Sequence, residues 1–224
     1  MKPKRILLVR HGESEGNVDP TVYGQKPDYA LQLTSLGQEQ ARCCGVELQK
    51  ILNGKPAMFY VSPFWRTRET FELLASQLDR ALIKYREEPR IREQEWGHLR
   101  GMAERDAVMK ARDAYGSFYF RIPDGESCAD VYDRVTTFLE TLHRDFAKTS
   151  FPENAVLVTH GMAIRLFLMR WFKWTVEEFE ILANPVNCAI VIMELKPNGK
   201  YELKTPLGQR PDLTHSYQRP LAFK

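Results

Sequence analysis

Two stretches of the chain are built alike. Ile6-Leu7-Leu8-Val9-Arg10-His11-Gly12 and Val156-Leu157-Val158-Thr159-His160-Gly161 each run apolar, then polar, then His-Gly. Each reads as a buried strand that delivers a histidine to its carboxyl end, and ligands of open α/β sheets bind outside such ends. If the two strands are neighbours, the imidazoles face one another. Gly12 and Gly161 would then let backbone approach a ligand closely. Arg10 ends an apolar strand, where a guanidinium is costly to bury unless an anion meets it. Arg66 falls in the first turn of a helix that opens at Ser62-Pro63. That end of a helix is electropositive, and a bound phosphate would make the cation favourable there. A surface pair with Glu69 or Glu72 is the plainer alternative for Arg66. Together Arg10, His11, Arg66 and His160 suit a phosphoryl group.

Phosphoryl transfer needs a nucleophile, neutralisation of the equatorial oxygens and a proton for the leaving oxygen. A neutral imidazole can be the nucleophile. Arginines can clamp the oxygens in place of magnesium. The proton must come from an acid with a raised pKa. Spacing offers Glu13, Glu15, Glu93, Glu95, Asp124 and Glu126 and does not choose among them. No metal is expected, because there is no His-x-x-x-His and no carboxylate-rich pair beside either histidine. No cofactor is expected either, since Gly12 and Gly16 do not make a dinucleotide fingerprint. Tyr115, Phe118, Tyr119 and Phe120 precede Arg121, while Trp65 and Trp96 flank Arg66 and the Arg92-Glu93 pair. An aromatic wall with Arg121 as a substrate-binding cation would suit an organic phosphomonoester. Packing of the same rings into a core is the alternative.

The elements that must position these groups alternate between β-type and helical patterns, which predicts an α/β fold with a mostly parallel sheet. Strands are expected at 5–9, 57–61, 82–85, 155–159 and 188–195. Helices are expected at 34–52, from Ser62-Pro63 to about Leu78, from Ser127 onward, and at 161–172. The third of these carries the stripe Val131, Val135, Phe138, Leu142, Phe146. Residues 102–124 follow no single period and read as a lid or insertion, and the tail from about 207 reads as irregular. A chain of 224 residues with 43% hydrophobic and 27% charged residues can build one packed domain over 1–224. A net charge of +3 permits an acidic ligand without calling for nucleic acid. No apolar run approaches the roughly 20 residues of a membrane span. The cysteines at 43, 44, 128 and 188 make no Cys-x-x-Cys. A cytoplasmic protein with reduced thiols, acting on a small phosphorylated molecule, is therefore expected.

Arg10-His11-Gly12-Glu13-Ser14 with Asn17 resembles the signature of branch 1 of the histidine phosphatase superfamily, the phosphoglycerate-mutase-like family. The likeness continues through Leu33-Thr34 with Gly37, Gln40 and Ala41, then Ser62-Pro63 with Arg66 and Thr70. Arg92-Glu93 with Gly97 and Gly101, Gly125-Glu126-Ser127, and Val158-Thr159-His160-Gly161 complete it. The resemblance covers about residues 5–195 and implies a three-layer α/β/α sandwich. It implies that His11 becomes phosphohistidine, that Arg10, Arg66 and His160 hold the phosphoryl oxygens with Asn17 nearby, and that Glu93 is the acid. The His160-Gly161 junction is that of the branch whose acid lies upstream, where the acid phosphatases and phytases carry His-Asp. Mutases of the family place a lysine three residues after the glycine matching Gly101, where this chain has Glu104. They also carry an Arg-Arg pair, whereas Arg105, Arg112 and Arg121 are scattered here. The resemblance thus implies a metal-independent phosphatase, with a cofactor-dependent phosphoglycerate mutase or a non-catalytic phospholigand-binding module as alternatives.

Overall fold

The computed structural model describes residues 2–97 and 101–210. Residues 98–100 and the tail beyond 210 lie outside the described residues. Six strands form one sheet: β1 (Arg5–Arg10), β2 (Ala57–Val61), β3 (Ile83–Glu87), β4 (Asn154–Thr159), β5 (Ile190–Leu195) and β6 (Tyr201–Leu203), in the order β3-β2-β4-β1-β5-β6. The first four positions in that order are parallel, and β5 and β6 are antiparallel. The β5–β6 turn is Pro197-Asn198-Gly199, with Gly199 at φ +75°, a value glycine adopts without strain. The helices are α1 (Glu15–Val18), α2 (Ser35–Leu52), α3 (Trp65–Ala75), α4 (Met102–Tyr115), α5 (Cys128–Phe146), α6 (Gly161–Phe172) and α7 (Val176–Glu180).

The central strands are apolar without interruption because both their faces are covered. Ile6, Leu8, Ala155 and Leu157 pack with residues of α5 and α6. Leu7, Val9, Val156 and Val158 pack with residues of α2 and α3. The result is a three-layer α/β/α sandwich. Thr34 caps α2 by accepting from the Gly37 N–H, and Asn53 ends it in the left-handed region at φ 48°. Ser127 and Asp130 make a capping box at the start of α5, whose predicted stripe is buried throughout.

Two elements differ from expectation. Helix α3 begins at Trp65 rather than at Ser62, and its N-cap, Phe64, supplies no side-chain bond. The Ser62 hydroxyl is committed elsewhere, as described below. The aperiodic stretch 102–115 is helix α4, in which Arg112 is the buried residue. A helix with so little buried surface has no apolar face for periodicity to mark. The tail begins by running beside 181–183, where the Ala183 N–H donates to the Gly208 carbonyl and the Arg210 N–H to the Ile181 carbonyl. Among the described residues no helix is long and apolar enough to cross a membrane.

For function, the decisive feature is the β1–β4 pairing. Arg10 is in register with Thr159, so the two His-Gly junctions leave the sheet side by side.

Candidate active site

His11 is 3% exposed and its ring is fixed from behind. Nδ1 lies 2.7 Å from the carbonyl oxygen of Gly12. A carbonyl can only accept, so Nδ1 carries the proton and Nε2 presents a lone pair. The Arg66 Nε–H donates to that Nε2 at 3.3 Å. Burial, with the Arg66 and Arg10 guanidiniums beside it, holds the imidazole well below its ordinary pKa, so it is neutral. The loop after it is tied down by α2 and α3. The Gly12 N–H donates to Thr70 Oγ1, the Glu13 N–H to Gln40 Oε1, and the Thr34 hydroxyl to Glu13 Oε1. A Cβ at Gly12 would stand 2.4 Å from the Gly37 carbonyl oxygen, and one at Gly37 would run into the Glu13 carbonyl oxygen, so neither position accepts a side chain.

His160 is fully buried, and its ring centroid lies 5.1 Å from that of His11. Its Nε2 is 2.7 Å from the Ser62 hydroxyl, while Nδ1 is buried without a hydrogen-bond partner among the described residues. Burial, then the charge of Arg66, holds this imidazole low as well. Helix α6 starts at Gly161, so its electropositive end begins at the next residue.

Arg10 donates from Nη1 to the Pro185 carbonyl at 2.7 Å, and its Nε is buried without a partner among the described residues. Arg66, 2% exposed, pairs with neither Glu69 nor Glu72. Its Nη1 meets both the carbonyl and the carboxylate of Asp28, each at 2.7 Å. Glu69 instead accepts from the Leu33 N–H and the Gln38 amide, and Glu72 pairs with Arg80. Asn17 holds the other side of the loop. Its Oδ1 accepts from the Ser14 N–H and hydroxyl and from the Asn187 amide, which also donates to the His11 carbonyl.

Of the six candidate acids, Glu93 stands apart. Its carboxyl makes one hydrogen bond among the described residues, from the Gln94 N–H at 3.0 Å. Burial pushes its pKa up, while Arg66 pulls it down and Asp28 adds to the rise. Glu13 is bonded to Thr34, Glu15 to Lys26, and Glu126 to Arg92 and Arg134. Glu95 and Asp124 line a neighbouring cavity of about 410 Å³. Among the described residues no cluster of three or more His, Cys, Asp or Glu is arranged to hold a metal ion.

That cavity adjoins the histidine pair through Phe64, whose ring lies 5.1 Å from His160, and through Asp28. Its aromatic walls are Tyr23, Tyr29, Phe64 and Trp96. Of the rings the sequence suggested, Trp96 lines it, while Trp65 and the cluster at 115–120 do not. Phe118 is 7% exposed and packs on Tyr132 and Phe179 as part of the core, while Tyr115 and Tyr119 are exposed. Arg121 does not line the cavity; it is exposed and paired with Asp130 at 2.6 Å. The arginine on the cavity with no ion pair among the described residues is Arg105, whose guanidinium lies over the rings of Tyr23 and Trp96. Asp28, Tyr23, Ser62 and Arg105 were thus missed as site residues. Ser62 carried a signal, because a polar residue directly after a buried strand is placed like the histidines.

Known proteins can now be set beside this geometry. The model of the histidine phosphatase superfamily (branch 1) matches residues 6–205. The phosphoglycerate mutase-like protein AT74 of Arabidopsis thaliana is 47% identical over 214 residues, spanning 90% of this chain and 68% of its own length. The broad-range acid phosphatase DET1 of Saccharomyces cerevisiae is 32% identical, spanning 94% of this chain and 91% of its own. A mycobacterial glucosyl-3-phosphoglycerate phosphatase, solved with VO3, shares the fold at a TM-score of 0.70 and 24% identity, over 90% of this chain and 98% of that one. The family match runs from the strand that delivers His11, through the one that delivers His160, to the last strand of the sheet, and the chain therefore belongs to branch 1 of the histidine phosphatase superfamily.

Proposed function

We propose that the protein is a metal-independent phosphatase that hydrolyses an organic phosphomonoester through a phosphohistidine on His11. The observation that carries this reading is the state of His11: neutral, with Nδ1–H tied to the Gly12 carbonyl and the Nε2 lone pair facing the Arg66 guanidinium. Nε2 attacks phosphorus in line, and the P–O bond to the leaving alkoxide breaks. The positive charge that develops on the ring is shared with the Gly12 carbonyl through Nδ1–H. Arg10 Nε, Arg66, and His160 Nδ1 receive the phosphoryl oxygens. A Ser62 hydroxyl donating to His160 Nε2 leaves Nδ1 carrying the proton it needs for that bond.

Glu93, whose pKa burial raises toward the range a general acid needs, gives its proton to the leaving oxygen. As carboxylate it then takes a proton from water. That water attacks phosphorus, the P–N bond breaks, and inorganic phosphate and neutral His11 are restored. The aromatic cavity supports an organic leaving group.

Hydrolysis is favoured over mutase turnover by the charges around the cavity. A mutase must hold a second phosphate with further cations. Lys26 is paired with Glu15 at 2.8 Å and Arg92 with Glu126 at 2.6 Å, which leaves Arg105 among the described residues of the cavity. Brief incubation with labelled phosphoester is expected to leave acid-labile, base-stable label on His11, and turnover is expected to persist in EDTA. With 3-phosphoglycerate and a bisphosphoglycerate primer, phosphate release or no reaction is expected. Rapid formation of 2-phosphoglycerate would replace this reading with a mutase.

A further inference from the structure

The segment that carries Glu93 has no strand or long helix to hold it. After the short turn Pro89–Ile91 the chain runs irregularly to Gly97. Three of its carbonyls outside that turn's own bonds are held by one side chain from α5, beside the Thr159 hydroxyl on the Ile91 carbonyl and the Glu126 N–H on the Glu95 carbonyl. Arg134 donates from Nη1 to the carbonyls of Arg90 and Arg92, at 2.7 and 2.9 Å, and from Nη2 to the carbonyl of Glu93 at 3.0 Å. Nε and Nη2 also grip the two carboxylate oxygens of Glu126, at 3.0 and 2.9 Å. All five N–H groups of the guanidinium are used.

Glu126 completes the frame. Its carboxylate also accepts from Arg92 at 2.6 Å and from the Glu95 N–H at 3.0 Å, and its carbonyl from the Gln94 amide at 2.7 Å. The pair is mostly buried, with side-chain exposures of 11% for Arg134 and 15% for Glu126.

The Glu93 carboxyl has no comparable support. Its one hydrogen bond among the described residues comes from the adjacent backbone, so where the backbone sits decides where the carboxyl sits. Misplacing a catalytic group by about 1 Å can cost about 10²-fold. A planar fork satisfying three carbonyls and a carboxylate together is a geometry that a lysine does not reproduce.

We propose that Arg134, braced by Glu126, is a positioning residue that fixes the Glu93 acid over the leaving oxygen. This rests on the assignment of Glu93 as the acid. Loss of the brace should therefore look like a weaker loss of Glu93, and should be felt where the acid is needed.

The test compares Arg134→Lys, Glu126→Gln, Glu93→Gln and the double variant Arg134→Lys/Glu93→Gln on two substrates. Glycerol 3-phosphate has an alkoxide leaving group that requires the proton. Nitrophenyl phosphate has one that does not, and its first step is read from the burst of nitrophenolate. Arg134→Lys is expected to lower kcat on the alkyl ester by about 10–100-fold with KM within about twofold, while the burst rate changes by less than about threefold. In the Glu93→Gln background it is expected to add nothing, because the group it positions is already gone. Glu126→Gln, which keeps the shape of the frame, should show the same pattern more weakly and serves if the lysine variant does not fold. Equal losses on both substrates, or a full further loss in the Glu93→Gln background, would reduce the pair to a structural role and overturn the proposal. If Glu93→Gln itself shows no preference between the substrates, the acid assignment falls and the positioning role falls with it.

Discussion

His11, at the end of β1, is held from behind by a backbone carbonyl; His160, at the end of β4, is held by a side-chain hydroxyl from the end of β2. The carbonyl engages Nδ1 and leaves Nε2 forward, whereas the hydroxyl engages Nε2 and leaves Nδ1 without a partner among the described residues. Both rings are buried and both are held neutral, so burial does not distinguish them. The partner behind each ring does. A group that only accepts fixes the proton on the nitrogen it touches and leaves the other nitrogen free as a nucleophile. A group that can donate makes the other nitrogen a proton donor. On the proposed mechanism the same dipeptide serves two chemical roles at adjacent strand ends.

The largest effects should come from removing each ring. His11→Ala is expected to lower turnover by about 10⁴-fold or more and to abolish labelled phosphohistidine, since the covalent route is lost with its nucleophile. His160→Ala removes an oxyanion donor and is expected to cost about 10²–10³-fold while slow labelling of His11 survives. Rapid-quench labelling distinguishes the two. Label on His160 in the His11→Ala protein would show that the rings are interchangeable, which the hydrogen bonds argue against.

This contrast was only half legible in the sequence. The apolar runs 6–9 and 156–158 declare two strands buried on both faces, and a strand end is where a ligand sits in such a fold, so the meeting of Arg10, His11 and His160 could be foreseen. Spacing left six carboxylates open as the acid, and only the family likeness singled out Glu93. The hydroxyl behind His160 carried a signal, its place directly after a buried strand, that a second pattern hid. Ser62 before Pro63 has the form of a helix cap, and only the start of α3 at Trp65 frees it for His160. Asp28 lies in a loop with no periodicity to mark it. Arg134 lies on a helix that was read for its apolar stripe, and a pattern of buried positions carries no information about what the other face reaches. Apart from Trp96, the aromatic wall was misplaced for a related reason: composition reports rings, but the choice between lining a cavity and filling a core is made by packing over long sequence distances.

The donor behind His160 can be removed without touching either ring. Ser62→Ala is expected to lower kcat by about threefold to tenfold, the equivalent of one hydrogen bond worth about 0.5–1.5 kcal/mol. Labelling of His11 should slow by the same factor, because the missing contact acts on the phosphoryl oxygens that both steps share. A Ser62→Ala protein with unchanged rates would mean that His160 takes its tautomer from another source, and the contrast with His11 would lose its physical basis.

The smallest effect concerns the His11 side of the comparison, where Asp28 holds the guanidinium that faces Nε2. Asp28→Asn keeps the shape of the bond to Arg66 but removes a negative charge near Glu93. Burial is the main reason the Glu93 pKa is raised; Arg66 works against it and Asp28 works with it. With the aspartate charge gone, the pull of Arg66 is less opposed and the Glu93 pKa falls. Glu93 must be protonated to serve the leaving oxygen, so activity declines as pH rises through that pKa. The alkaline limb of kcat/KM for an alkyl phosphate should therefore move to lower pH in Asp28→Asn, with activity changed by only a few-fold on the acid side of the limb. Formation of phosphohistidine from nitrophenyl phosphate does not need the proton and should keep its pH dependence. A limb that moves to higher pH, or an equal displacement for both substrates, would show that Asp28 acts on His11 through Arg66 rather than on the acid.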